Sequence, residues 1–293
     1  MIVGVGEVLW DVYPDAAHFG GAPANFACHA ASLGAESWMV SAVGTDDLGD
    51  RAFDSLREKG VKSQTVMRDP THVTGQVLVT LDATGQPRYE FAADPAWDHL
   101  TWSDQLASLT AGCDAVCFGT LCQRSTISRA TIRRFVESTP ATTLRVFDVN
   151  LRQRFYDAYL IEDSLEFANA LKLNEEELPI VLDLLGIQVA DRGDALLRLI
   201  DRYQLRLAAL TCGPDGAMLA TESESSRSPA LPAKVIDTVG AGDAFTATLV
   251  MDFLRGLPLT VINEHANAVA SFVCSQRGAT PPLPADLKSS RWS

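Results

Sequence analysis

The strongest constraint on the fold is an alternation of two hydrophobic periods. Ile2–Leu9, Ser37–Val43, Asp114–Phe118, Leu144–Val149, Ala170–Leu173, Leu207–Thr211 and Ala217–Ala220 read as mostly apolar strands. Helical patterns intervene at Asn25–Leu33, Asp47–Lys59, Ser125–Glu137, Leu165–Ala168, Glu175–Leu184 and Ala195–Tyr203, and two more, Gly242–Arg255 and Ile262–Cys274, follow the last strand. Strands that are apolar throughout are buried on both faces, so the alternation predicts an α/β fold with a central, mostly parallel sheet and helices on both faces. A chain of 293 residues that is 47% hydrophobic can bury a substantial core, and one large domain over residues 1–293 is expected rather than two independent ones.

One region breaks the alternation. Gly75–Asp82 and Pro87–Phe91 flank Ala83-Thr84-Gly85-Gln86 and read as a β-hairpin with no helix directly after it.

Near the C-terminus, Asp237-Thr238-Val239-Gly240-Ala241-Gly242-Asp243-Ala244-Phe245 runs from a small-residue turn straight into an apolar helix. Gly240, Ala241 and Gly242 have almost no side chain, so an anion can approach their N–H groups at the positive end of that helix. Asp243 lies three residues beyond Gly240, a rise of about 4.5 Å, within reach of a hydroxyl attacking a phosphorus held at the turn. The helix dipole is expected to keep Asp243 ionised as a proton acceptor. A glycine-rich helix start with Asp243 as its dipole partner accounts for this segment equally well.

A second glycine-rich segment decides between them. Gly20-Gly21-Ala22-Pro23-Ala24-Asn25 leads into the Ala-rich helical stretch Phe26–Gly34. Gly6-Glu7-Val8-Leu9-Trp10-Asp11, Phe147-Asp148-Val149-Asn150-Leu151-Arg152, Lys172-Leu173-Asn174-Glu175-Glu176-Glu177 and Thr211-Cys212-Gly213-Pro214-Asp215-Gly216 lie between or before the two segments. Together these pieces resemble the PfkB (ribokinase-like) carbohydrate kinases over nearly the whole chain, most of all the bacterial fructokinases.

The resemblance implies an ATP-dependent phosphoryl transfer, with Asp243 as base, the Gly240–Gly242 amides and Mg²⁺ absorbing charge, and no covalent intermediate. Asp11, Gly20, Gly21 and Asn25 are expected to hold the sugar. Asp11 is read as ending the first strand, and Asn25 as a helix cap, a ligand contact or both. Asp148, Asn150 and Arg152, on alternate positions of a strand, are expected on one side of it, with Arg152 touching substrate or phosphate. Lys172, Asn174, Thr211, Gly213 and Gly216 are implied on the nucleotide side, with Asn267 on the adenine side; a surface role fits Lys172 as well. Glu177 is expected to act through water on Mg²⁺. Asp237 and Val239, with Val273–Gly278, fall where the family binds K⁺, although Pro281-Pro282 departs from some relatives. Residues 10–20 and 72–98 are expected to form a small β lid over the sugar, one that could pair between subunits of a homodimer.

The substrate read from these motifs is D-fructose, giving fructose 6-phosphate; 2-keto-3-deoxygluconate is the nearest rival, since Arg152 could meet a carboxylate. A non-catalytic sugar or nucleotide sensor is the reading from another class, and the intact Asp243 turn weighs against it. There is no Walker sequence, and Gly4–Leu9 lacks the third glycine of a dinucleotide fingerprint. A formal charge of −13 argues against nucleic acid and anionic membrane as partners. Six scattered cysteines without a CxxC pair are expected to be buried free thiols. With no basic leader before Ile2 and no apolar run long enough to span a bilayer, a cytoplasmic protein is expected.

Overall fold

A computed structural model describes residues 1–81 and 87–288. The chain begins with β1 (Ile2–Val5), β2 (Leu9–Val12), β3 (Ala17–Gly20), α1 (Ala22–Ser32), β4 (Ser37–Gly44), α2 (Asp47–Glu58), β5 (Val66–Asp69), β6 (Gly75–Leu81) and β7 (Pro87–Phe91). Next come α3 (Asp104–Thr110), β8 (Ala115–Phe118), α4 (Thr126–Glu137), β9 (Leu144–Asp148), α5 (Ala158–Phe167), β10 (Ala170–Asn174), α6 (Glu177–Leu184), α7 (Arg192–Tyr203) and β11 (Leu207–Thr211). The antiparallel pair β12 (Ala217–Ala220) and β13 (Ser225–Ser228) precedes α8 (Ala241–Leu254), α9 (Leu259–Cys274) and α10 (Ala285–Lys288).

The central sheet has nine strands in the order β13-β12-β11-β10-β9-β8-β1-β4-β5, parallel from β11 through β5. Strand parity sorts its side chains into two cores. Val3, Val116, Phe147, Leu171 and Leu210 face one layer, with Leu106, Ile132, Leu160, Leu178 and Leu196 of α3 to α7. Their strand neighbours Ile2, Ala115, Val146, Ala170 and Ala209 face the other, with Phe26 of α1, Phe245 of α8 and Ile262 of α9. The α/β expectation therefore holds. The strands β5 and β13 and the helix α3 carry too few periodic residues to be read in advance, and α5 begins well before the expected Leu165.

The first apolar run is not one strand. It stops at Val5, turns at Gly6 and resumes at Leu9 in a second sheet of four strands, β3-β2-β6-β7. Asp11 therefore does not end a strand of the central sheet; it lies within β2 of the second, opposite His18 of β3. The β6–β7 hairpin is present, whereas its expected turn, Ala83–Gln86, lies outside the described residues. The described cysteines are free, five of them buried. Among the described residues, no helix is long and apolar enough to cross a membrane.

Gly21 caps α1 at φ 107°, and a Cβ there would run into the Glu7 carbonyl oxygen. Gly21→Ala is expected to cost about 1–3 kcal/mol of stability through this clash and the left-handed backbone. A denaturant midpoint equal to wild type at unchanged slope would refute the packing of the β1–β2 break under α1.

Candidate active site

Lys172 and Asp148 occupy registered positions on β10 and β9 and share the parity of Ala170 and Val146, so both point toward α8. Their side chains are 7% and 6% exposed, and Lys172 Nζ donates to Asp148 Oδ1 at 3.2 Å. Asp148 Oδ2 accepts from Thr246 Oγ1 at 2.8 Å, which fastens the end of β9 to the second turn of α8. Burial works against the Lys172 charge, but Asp148, Glu177 and Asp243 outweigh it and hold the ammonium above its ordinary value.

Gly240 caps α8 in the left-handed region at φ 79°, and a Cβ there would collide with the Ala279 carbonyl. The Gly242 backbone lies over the Lys172 ammonium, close enough that a Cβ would come within 3.1 Å of Nζ. Asp243 follows, and its Oδ2 accepts from Asn25 Nδ2 at 2.8 Å, a bond spanning 218 residues. Burial pushes the Asp243 carboxyl up to about 6, reinforced by Asp148, while Asn25, Lys172 and Arg152 pull it down. The helix terminus expected to keep it ionised is thus outweighed by desolvation.

Asn25 does not cap α1, because Gly21 does; it stands a turn inside the helix with its Oδ1 buried and without a hydrogen-bond partner. One turn later, His29 places Nε2 2.9 Å from the Ala279 carbonyl oxygen, the same group that packs against Gly240. The two side chains of α1 thus hold the turn at Asp243 and at Ala279.

Glu177 is buried and braces two strand ends, Oε1 accepting from Leu151 N at 2.9 Å and Oε2 from Asn174 N at 2.8 Å. Burial raises its pKa, opposed by Lys172. Three carboxylates, of Asp148, Glu177 and Asp243, therefore act on one ammonium. The excess of negative charge at the carboxyl ends of parallel strands, beside a glycine turn, suits a divalent cation and a phosphate together.

A model of the pfkB family carbohydrate kinases matches residues 15–286. The chain belongs to that family. A fructokinase of Salmonella typhimurium is 30% identical over 298 residues, covering 96% of this chain and 95% of its own. A sugar kinase of Pyrococcus horikoshii solved in complex with ATP superposes with a TM-score of 0.85 at 27% identity, over 100% of this chain and 99% of the other. A fructokinase of Xylella fastidiosa with bound ATP gives a TM-score of 0.86 at 22% identity, over 98% and 96%, a likeness of fold.

In this pfkB kinase the sequence-derived residues fall into groups. Asp243, Gly240, Ala241, Gly242, Asn25 and Lys172 converge, and Lys172 is buried rather than at the surface. Gly21 lies at the foot of α1, and Gly20 ends β3 with its Cα beside the Asp11 carboxylate. Burial raises the Asp11 pKa, with Arg152 opposing it. Asp148, Asn150 and Arg152 do not share a strand face, because β9 ends at Asp148 and Asn150 turns the chain at φ 41°. Arg152 is exposed, its Nη1 donating to the Leu151 carbonyl, and its charge acts on Glu7, Asp11 and Asp243.

Thr211 and Asn174 end neighbouring strands in register. Asn174 Oδ1 accepts from the amides of Glu176 and Glu177 in the turn before α6, which starts two residues later than its expected beginning at Glu175. Gly213 and Gly216 bound a short turn between β11 and β12. Asn267 is buried in α9, its Nδ2 donating to the carbonyl and side-chain oxygens of Asn263. Asp237 Oδ1 accepts from Val239 N and Oδ2 from Gly278 N, so the two segments expected around a monovalent cation do meet.

Three residues were missed as site residues: Thr246, His29 and Glu7. Thr246 lies one turn after Asp243 and His29 one turn after Asn25, so helical spacing alone places each beside a known partner. Glu7 is buried in the β1–β2 break; burial pushes its carboxyl up to about 7, its Oε2 has no hydrogen-bond partner, and Asp243 raises it further.

Lys172→Met leaves the Asp148, Glu177 and Asp243 carboxylates without their buried counter-charge and is expected to cost about 3–5 kcal/mol. Chemical denaturation checks this, and a loss below about 1 kcal/mol, the range of an exposed pair, would contradict the burial. Asn25→Ala removes a bond that lowers the Asp243 pKa, so the acid limb of its kcat/KM profile should move upward from about 6. A limb that stays in place or moves down would show that the bond does not stabilise the carboxylate.

Proposed function

We propose that this pfkB kinase transfers the γ-phosphate of ATP to a primary hydroxyl of a small sugar, D-fructose to fructose 6-phosphate, with Asp243 as general base. The observation that carries the reading is Asp243 itself: a carboxylate in the first turn of α8, oriented by Asn25 and standing over the Lys172–Asp148 pair beside the Gly240 turn. A pKa of about 6 leaves it mostly ionised at neutral pH yet basic enough to accept a hydroxyl proton. Near-whole-chain similarity to a fructokinase supports the choice of sugar.

ATP with Mg²⁺ would supply the phosphoryl group and neutralise its charge. The amides of Gly240 to Gly242 would face the phosphates, Lys172 would place a fixed positive charge beneath them, and Glu177 would reach the metal through water. Thr211, Asn174 and the Gly213–Gly216 turn would border the nucleotide. Asp11, with Gly20 leaving room beside its carboxylate, and the unpartnered Asn25 Oδ1 would accept bonds from sugar hydroxyls. Arg152, exposed at the rim, would meet the substrate as it enters. The four-stranded sheet would act as the lid, with its outer strands β3 and β7 available to a second copy. The Asp237–Val239 loop, tied to Gly278, would hold K⁺ through backbone oxygens.

The test is ATP turnover with Mg²⁺ over fructose, 2-keto-3-deoxygluconate, ribose, tagatose and adenosine. Fructose should give the highest kcat/KM, and Asp243→Ala should lower kcat by about 10²–10⁴, the usual worth of a positioned base. Near-normal turnover in the folded variant removes Asp243 from the chemistry, whereas preference for another sugar corrects only the substrate. For wild type, kcat/KM should rise tenfold per pH unit below about 6 and level off above it. A profile flat from pH 5 to pH 7 would contradict a base of this pKa.

A further inference from the structure

Away from the Asp243 site, His72, Asp94 and His99 bring three ligand atoms within 4.8 Å of one another. His72 lies just before β6, while Asp94 and His99 follow β7, so the cluster joins the two ends of one hairpin.

Its hydrogen bonds settle which nitrogen is free. The Asp69 carboxylate accepts from Thr71 N, Thr71 Oγ1 and His72 N, and its Oδ2 lies 2.8 Å from His72 Nδ1. With these donors already directed at it, the Asp69 carboxylate is the acceptor toward His72 Nδ1. The proton of a neutral His72 then sits on Nδ1, and Nε2 keeps its lone pair. That lone pair faces Asp94 Oδ2 at 3.6 Å, too far for a hydrogen bond. His99 Nε2 lies 2.7 Å from the other oxygen of Asp94. A lone pair directed at a carboxylate is an arrangement that a shared cation relieves.

Two imidazoles and one carboxylate are the donor set of zinc-like ions, whereas Mg²⁺ and Ca²⁺ prefer oxygen alone. Ligands about 2.0–2.2 Å from a tetrahedral ion lie roughly 3.3 Å from one another, and the observed 2.7 and 3.6 Å bracket that spacing. The rings stack with centroids 3.5 Å apart and His99 Nε2 donates its proton to Asp94 Oδ1, so one imidazole must swing out of the stack and the His99 proton must move to Nδ1 before both Nε2 lone pairs converge. The two His side chains are 24% and 26% exposed and Asp94 is 67% exposed, which leaves room for the swing and for water in the fourth position.

We propose that His72, Asp94 and His99 form a binding site for a zinc-like divalent cation, with Asp69 orienting His72, and that the ion fastens together the two ends of the β6–β7 hairpin.

The experiment is calorimetric titration of the untagged protein with Zn²⁺ in the absence of nucleotide, with Mg²⁺ as the parallel titrant. One Zn²⁺ per chain should bind at micromolar concentration and raise the thermal midpoint, with no matching Mg²⁺ event. His72→Gln and His99→Gln, checked for fold by circular dichroism, should each abolish the event. Asp69→Asn should weaken it by about 10–100-fold, as loss of an outer partner does. Absence of Zn²⁺ binding in wild type, or binding undiminished in both His variants, overturns the site; the latter would place the ion elsewhere, such as at the half-buried Cys274.

Discussion

A charge buried in a sheet must be matched where it stands, and the Lys172–Asp148 pair is the match on which the site rests. The parallel register of β9 and β10 sets the two residues side by side, and strand parity turns both toward α8. Once there, they decide the electrostatics of what lies above. Asp243 enters a region with more carboxylate than ammonium, loses water, and becomes a stronger base than an exposed aspartate. Glu177 adds negative charge to the same place while its oxygens lock the ends of β9 and β10. The arrangement is costly unless a further cation shares it.

The other half of the site comes from a break. At Gly6 the chain leaves the central sheet, and by Leu9 it is part of another. Asp11, Gly20 and Gly21 are thereby carried to the boundary between the two sheets, near the residues at the carboxyl ends of the parallel strands. Glu7 fills the break itself, its carbonyl under Gly21 and its carboxyl in electrostatic contact with Asp243.

Most of the architecture could be read from periodicity, because long apolar strands and amphipathic helices each repeat a local rule. What escaped depends on contacts distant in sequence. The apolar run from Ile2 to Leu9 carries one charged residue, Glu7, and nothing in it announces that it serves two sheets. Asp148 and Lys172 were visible as polar residues in apolar strands, yet only the β9–β10 register makes them a pair. The motif residues around Asp243 and Asn25 were legible by resemblance; that Asn25 reaches across to Asp243 instead of capping its own helix was not. Asn267 was legible only as a polar residue on a late helix; that its Nδ2 donates to Asn263 one turn earlier was not.

The floor beneath the Gly240 turn is the Ala279 carbonyl, and that carbonyl is gripped by His29 from the first helix. The pieces of this one turn are thus separated by 250 residues of chain. During synthesis the turn has nothing to rest on until the segment around residue 279 has cleared the ribosome. A nascent chain can therefore assemble most of its parallel sheet well before the Gly240 turn has the support it rests on.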